Sequence, residues 1–167
     1  MNLGLLLFLC KVLTVSSGVE LVAILPHGDW AYDPYPIGGV NGSSELHAAT
    51  LNISKQIVTV SPEVIIMISP HAVALDDDYG VYLSSGAEGF ADIGLDAHNS
   101  SVAVYRIYEK ARMDPALAQT VIKSLRASGV GSHAISFFSS AEPAPLRWGE
   151  VIPLAMLSGS EQKDSDR

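Results

Sequence analysis

The sequence predicts an α/β fold organised around one parallel βαβ unit. Two apolar runs of strand length, LVAIL from Leu21 and VIIMIS from Val64, each end directly in a Pro-His pair. Between the runs, apolar residues recur at helical spacing: Leu46, Ala49, Ile53 and Ile57. Because a helical crossover forces its two strands to lie parallel, both strands should end at the same edge of one sheet.

This arrangement brings His27 and His71 to the edge where open α/β sheets bind their ligands. Two converging imidazoles are typical of ligands that share one metal ion. The alternative is that each histidine only hydrogen-bonds within its own loop, and the repeated Pro-His ending favours the shared metal. Asp29 either accepts a hydrogen bond from an imidazole N–H or caps a turn, and the sequence leaves both open.

Two helices have clear ends. The crossover helix begins at Ser43 or Ser44, and Ser61 with Pro62 ends it. A later helix is capped by Asp114 and closed by Gly129, with a proline in its first turn.

The remaining elements are less sharply defined. Alternating apolar residues predict strands over residues 78–84 and 134–138. Glycine and proline predict loops over residues 31–42 and 84–101. Residues 101–112 fit either a helix or a strand, and residues 147–157 fit a strand or the opening of a helix.

Composition limits the classes of function. A chain of 167 residues with 48% apolar residues can bury one core, so we expect a single domain over residues 19–157. A net charge of -8 argues against a nucleic-acid partner, which needs clustered Lys and Arg. The single cysteine, Cys10, excludes an internal disulfide and a zinc ribbon.

The two ends of the chain differ from the body. Residues 1–18 are shaped like a signal peptide, and their apolar run, LGLLLFL, is too short to span a bilayer. Three Asn-x-Ser sequons suit secretion. The start lacks the usual basic residues, so a cytoplasmic location stays open. Residues 158–167 are polar and charged and are predicted to be disordered.

Three motifs, LPHGDWAYDP, ISPHA and PLRWGEVIPL, occur in this order between Leu21 and Leu157. Together they resemble the class III extradiol ring-cleavage dioxygenases, the group named for the B subunit of protocatechuate 4,5-dioxygenase, whose fold the Memo-like proteins share. The resemblance implies a three-layer α/β/α fold with a largely parallel sheet. It also implies non-haem Fe(II) bound by His27 and His71, O2 as co-substrate and a catechol-type substrate, with Zn as the alternative ion.

The same resemblance implies a third metal ligand and a catalytic base. In relatives, the third ligand lies beyond the equivalent of Leu157, so the chain looks like a truncated member whose domain is incomplete. Carboxylates that could complete a 2-His-1-carboxylate site are these: Asp29, Asp33, Asp76 and Glu150.

Many relatives carry a catalytic histidine where this chain has Arg147 or Trp148. His98 and Glu150 are then the candidate catalytic residues, against simple solvent exposure for His98 and a helix-start charge for Glu150. The alternative functions are a non-catalytic, Memo-like binding module and a hydrolase that uses Zn or Mn. An unfinished sheet edge also favours homo-oligomers.

Overall fold

The computed structural model describes residues 18–34, 43–73, 75–94, 105–139 and 141–159. These ranges form an α/β fold with mixed sheets. In chain order the elements are α1 Asp29–Tyr32, α2 Ser44–Val60, β1 Tyr79–Tyr82, β2 Gly86–Ile93, β3 Tyr105–Arg112, α3 Pro115–Ala127, β4 Ser132–Ile135, β5 Ala144–Leu146 and α4 Trp148–Ser158.

The helices α2 and α3 begin at the residues that the sequence predicted. Ser43 Oγ accepts a hydrogen bond from the Leu46 N–H at 3.2 Å, and Ser61 ends α2 in the left-handed conformation. Asp114 Oδ1 accepts from two backbone N–H groups in the first turn of α3. Cap chemistry therefore fixes both helix starts.

The strands form two sheets, one parallel and one that combines parallel and antiparallel pairs. β1 and β4 pair in parallel, whereas the second sheet has the order β3-β2-β5. β2 pairs antiparallel with β3 along its whole length, from Gly86 opposite Arg112 to Ile93 opposite Tyr105, and parallel with β5. The longest pairing, between β2 and β3, is antiparallel.

The prediction of a loop over residues 84–101 is wrong where β2 lies. Ala87, Ala91 and Ile93 are buried on one side of this strand, although its glycines resemble those of a loop. A methyl group at Gly89 would collide with the backbone of Leu146 in β5. The glycine is there because two backbones approach closely, which sequence pattern alone did not separate from a turn.

The two apolar runs that end in Pro-His are not strands. Residues 19–27 and 64–69 form neither helix nor strand, so the predicted parallel strand pair is absent from the described residues. Several of their side chains are exposed, including Ile24 at 89% and Ile68 at 77%. Neither run forms a strand because it has no neighbouring strand among the described residues with which to build a hydrogen-bond ladder.

Helix α4 lies at the centre of the packing. Val151, Ile152, Ala155 and Met156 pack with residues of β2, β3 and the segment around Tyr32 in one hydrophobic core. No helix in the described ranges has the length and apolar character needed to cross a membrane.

Candidate metal centre

His27 and His71 lie in contact, as the sequence predicted. Their Nε2 atoms are 3.2 Å apart, and the rings meet edge to face with centroids 4.5 Å apart. Both side chains are half-buried. The two histidines are 44 positions apart in the sequence, with the whole of α2 between them, so the contact depends on the tertiary fold.

The separation of the two nitrogens matches a shared metal ion. Two imidazole nitrogens bound to one ion at about 2.1 Å lie about 3.0 Å apart in octahedral geometry and about 3.4 Å apart in tetrahedral geometry. The observed 3.2 Å falls within this interval. Without a metal, the same contact is a hydrogen bond in which one protonated Nε2 donates to the other, unprotonated Nε2.

The start of α4 packs directly against His71. The Trp148 ring lies 4.8 Å from the imidazole between centroids, tilted by 38°. A methyl group at Gly149 would lie 2.9 Å from His71 Cβ, and the His71 backbone N–H donates to Ser69 Oγ at 3.2 Å. The imidazole is therefore held between α4 and its own preceding turn.

The segment after His27 is fixed by Asp29 and by an aromatic ring. Asp29 Oδ2 accepts a hydrogen bond from the Gly94 N–H at 3.0 Å, which ties the first turn of α1 to the end of β2. The Trp30 indole covers Gly28, where an added methyl group would lie only 2.8 Å from the ring. Asp29 thus acts on a backbone N–H in this structure, and its predicted contact with an imidazole stays a prediction.

A buried hydrogen bond joins the end of α1 to β3. The Tyr105 hydroxyl donates to Asp33 Oδ2 at 2.9 Å, and Asp33 is buried. Burial raises the pKa of Tyr105 well above its ordinary value, and the Asp33 carboxylate raises it further. Asp33 is thereby committed to Tyr105, away from the role of a metal ligand.

Glu150 is buried at the start of α4. Glu150 Oε2 accepts a hydrogen bond from the Arg147 backbone N–H at 2.8 Å, as the N3 residue of a capping box does. Glu150 Oε1 is buried without a hydrogen-bond partner in the described structure. The Glu150 charge also raises the pKa of Tyr82, after the larger effect of burial. Glu150 therefore has the helix-start role that the sequence offered as one alternative, and its Oε1 has no hydrogen-bond partner in the described structure.

The described residues do not supply a third ligand beside the two histidines. Within them, no cluster of three or more His, Cys, Asp or Glu side chains is arranged to hold an ion. Asp76 is exposed, and His98 lies outside the described residues. The residues present fit a two-histidine portion of a metal site.

The other two described histidines have separate partners. His47 Nδ1 lies 3.0 Å from the Ala31 carbonyl oxygen, to which it donates. His133 Nε2 is paired with Asp78 on the surface at 2.5 Å. Both serve as controls for the pair at the candidate centre.

Sequence reasoning missed the residues that surround the two imidazoles. The sequence presents Trp148 only as one of two residues in place of a family histidine, Gly149 carries no prediction of its own, and Ser69 falls within an apolar run. The one available signal was the glycine inside an apolar segment, because such a glycine often marks a close approach.

No protein-family model matches the chain. No curated protein matches it at a significant level either.

Proposed function

We propose that this chain is a metal-binding domain of the extradiol-dioxygenase type, which uses Fe(II) and O2 to open catechol-like rings. The proposal includes the finer fold, a three-layer α/β/α arrangement with a largely parallel sheet, of which the described residues are one portion. The observation that carries it is the 3.2 Å contact between His27 Nε2 and His71 Nε2.

His27 and His71 would hold the ion. Fe(II) held by these nitrogens would supply the Lewis-acid and redox chemistry for the reaction of a catechol with O2, which no side chain offers. Zn is the alternative ion for the same two nitrogens. The third ligand comes from outside the described residues.

The side chains around the pair would bind and orient an aromatic substrate. Trp148 lies against the His71 imidazole, and Trp30 covers Gly28, the residue after His27; the two indoles are about half exposed, at 45% and 47%. Such indoles offer stacking surfaces to a planar ring and exclude water from one side of it. These two residues favour an aromatic substrate over an aliphatic one.

Glu150 is the residue proposed to hold a proton. Its Oε1 is buried without a hydrogen-bond partner in the described residues, and α4 holds it one residue after the glycine that touches His71. A carboxylate oxygen without a hydrogen-bond partner can accept a substrate hydroxyl proton. His98 remains the second proposed acid or base.

Oxygen consumption tests the proposal. The full chain is loaded with Fe(II) without oxygen, and O2 uptake is then followed with a panel of catechols. We expect uptake that is lost in His27→Ala and in His71→Ala and is kept in His133→Ala, whose imidazole pairs with Asp78 at the surface. Absence of uptake with every catechol contradicts the enzymatic proposal.

A second function is supported by the absence of a third ligand from the part of the chain that the structure describes. If the pair binds an ion without O2 chemistry, or binds none, the domain is a non-catalytic, Memo-like binding module. Metal binding without O2 uptake supports this second function. A hydrolase that uses Zn or Mn would instead cleave esters or amides under the same metal loading.

A further inference from the structure

The turn that carries His71 is held on two sides. The His71 backbone N–H donates to Ser69 Oγ at 3.2 Å, which fixes the chain just before the imidazole. Gly149 of α4 lies against the His71 side chain, since a methyl group there would be 2.9 Å from His71 Cβ. Neither of these two contacts fixes the chain that follows His71.

Tyr82, the last residue of β1, fixes the chain after His71. The Val73 backbone N–H, two residues beyond His71, donates a hydrogen bond to the Tyr82 hydroxyl oxygen. The Tyr82 side chain is half-buried, so this bond is partly protected from competition by water. The turn from Ser69 to Val73 is therefore held at both of its ends.

The Tyr82 hydroxyl is presented by a rigid part of the fold. Tyr82 lies opposite Ile135 in the parallel pair of β1 and β4, and the following Leu83 N–H donates to the Ile135 carbonyl oxygen at 2.9 Å. The Tyr82 ring also packs against the Phe137 ring, with centroids 5.6 Å apart. Because strand pairing and ring packing both restrain Tyr82, its hydroxyl can set the position of a neighbouring turn.

The same hydroxyl lies near the start of α4. Burial raises the pKa of Tyr82, and the negative charge of Glu150 raises it further. The bond from Val73 and the positive charge of Arg147 lower it. Glu150 and Arg147 flank the part of α4 that touches His71, so one tyrosine lies beside both elements that hold this histidine.

We infer that Tyr82 is a positioning residue for His71: its hydroxyl holds the turn after the imidazole, so that His71 Nε2 meets His27 Nε2. The inference deepens the proposed function, and it rests on that function where the ion is concerned. Removing a residue that orients a metal ligand typically weakens metal binding by about 10- to 100-fold. Tyr82 acts through the backbone of Val73, so we expect the lower end of this range.

Tyr82→Phe tests the inference, because it removes the hydroxyl and keeps the ring that packs on Phe137. In anaerobic titration of the full chain with Fe(II), the dissociation constant should rise about tenfold. Tyr79→Phe is the matched control: it makes the same change on the same strand, at a side chain that is half exposed, and should keep wild-type affinity. Phe137→Leu is a second variant, which keeps the hydroxyl and removes the ring that orients it, and it should raise the dissociation constant by a smaller factor.

Two measurements on the metal-free chain separate this inference from the proposed function. In Tyr82→Phe, hydrogen exchange of the Val73 amide should accelerate about two- to tenfold, the factor expected for one ordinary hydrogen bond. The nitrogen-15 NMR signals of the His71 imidazole should also shift. Tyr79→Phe should change neither. A wild-type chain that binds no Fe(II) contradicts the proposed function, and these two measurements then decide the inference.

The outcomes that overturn the role of Tyr82 are specific. One is wild-type Fe(II) affinity in Tyr82→Phe, or an equal loss in Tyr82→Phe and Tyr79→Phe. Another is unchanged Val73 exchange together with unchanged His71 signals in Tyr82→Phe. Circular dichroism checks that each variant is folded.

Discussion

Replacing Gly149 by alanine tests how α4 holds the proposed metal ligand. The new methyl carbon would lie 2.9 Å from His71 Cβ and 3.0 Å from His71 Cδ2. Carbon atoms normally approach to about 3.5–4.0 Å, so His71 or α4 must move by about 0.5–1 Å. The nearest atom is a Cβ, which cannot move without its backbone.

Two opposing terms set the effect of Gly149→Ala on stability. Alanine in place of glycine stabilises a helix by at most about 1 kcal/mol, and less near its first turn. Overpacking at a close contact costs about 1–3 kcal/mol. We therefore expect the free energy of unfolding to fall by about 0–2 kcal/mol in urea denaturation.

The effect on the metal should be larger than the effect on stability. A functional site tolerates displacements of about 0.5 Å, so an imidazole moved by this clash should bind an ion about 10- to 100-fold more weakly. Anaerobic titration with Fe(II) measures the change. Gly86→Ala is the matched control, because its methyl group would meet nothing closer than the Ala111 oxygen at 3.5 Å. Wild-type affinity and stability in Gly149→Ala would refute the described packing.

Three further predictions concern α3, β3 and α4. Asp114→Ala should lower the free energy of unfolding by about 1 kcal/mol, because two backbone N–H groups lose their acceptor. Asp114→Asn keeps an acceptor oxygen and should keep most of this stability. Equal losses in the two variants would contradict the role of Asp114 as a helix cap. Because burial holds the folded-state pKa of Tyr105 above its ordinary 10.0, the unfolded chain ionises first, so stability is full below pH 10 and declines above it. Tyr105→Phe should show a shallower alkaline decline in urea denaturation, and an unchanged slope would contradict the bond to Asp33. Glu150→Ala should destabilise the fold by about 1–3 kcal/mol, because the Arg147 N–H loses its acceptor. Glu150→Gln keeps an acceptor oxygen and should lose O2 uptake without losing stability. A stable Glu150→Ala variant, or a Glu150→Gln variant with full O2 uptake, would contradict the two roles of Glu150.

The predicted helices agree with the structure where local chemistry determines them. Ser43 and Asp114 cap α2 and α3 because a side-chain oxygen satisfies the N–H groups of the following turn. This interaction spans three residues, so sequence alone is sufficient to predict it.

The sheets were harder to predict because they depend on distant partners. β2 contains glycines that resemble a loop, and only the approach of β5 explains Gly89. α4 is apolar on most of its surface, so it lacks the periodicity that separates a helix from a strand. The sequence of residues 147–157 therefore does not distinguish a helix from a strand, and the packing of α4 in the core does.

The candidate site shows both a success and an error. His27 and His71 do meet, as predicted from parallel strands that end at one edge. The segments that carry them are not strands in the described residues, so the intermediate step was wrong. A third ligand for the proposed ion could not be predicted, because local sequence does not identify a side chain that a distant element contributes.

Anaerobic Fe(II) titration by calorimetry tests the shared ion most directly, with the full chain compared to His27→Ala, His71→Ala and the control His133→Ala. We expect one ion per chain in the wild type and in the control, and strongly weakened binding in each variant of the pair. If the two imidazoles belonged to different sites, each single variant would keep nearly full affinity for Fe(II). That result, or no binding by the wild type, would contradict a metal held between His27 and His71.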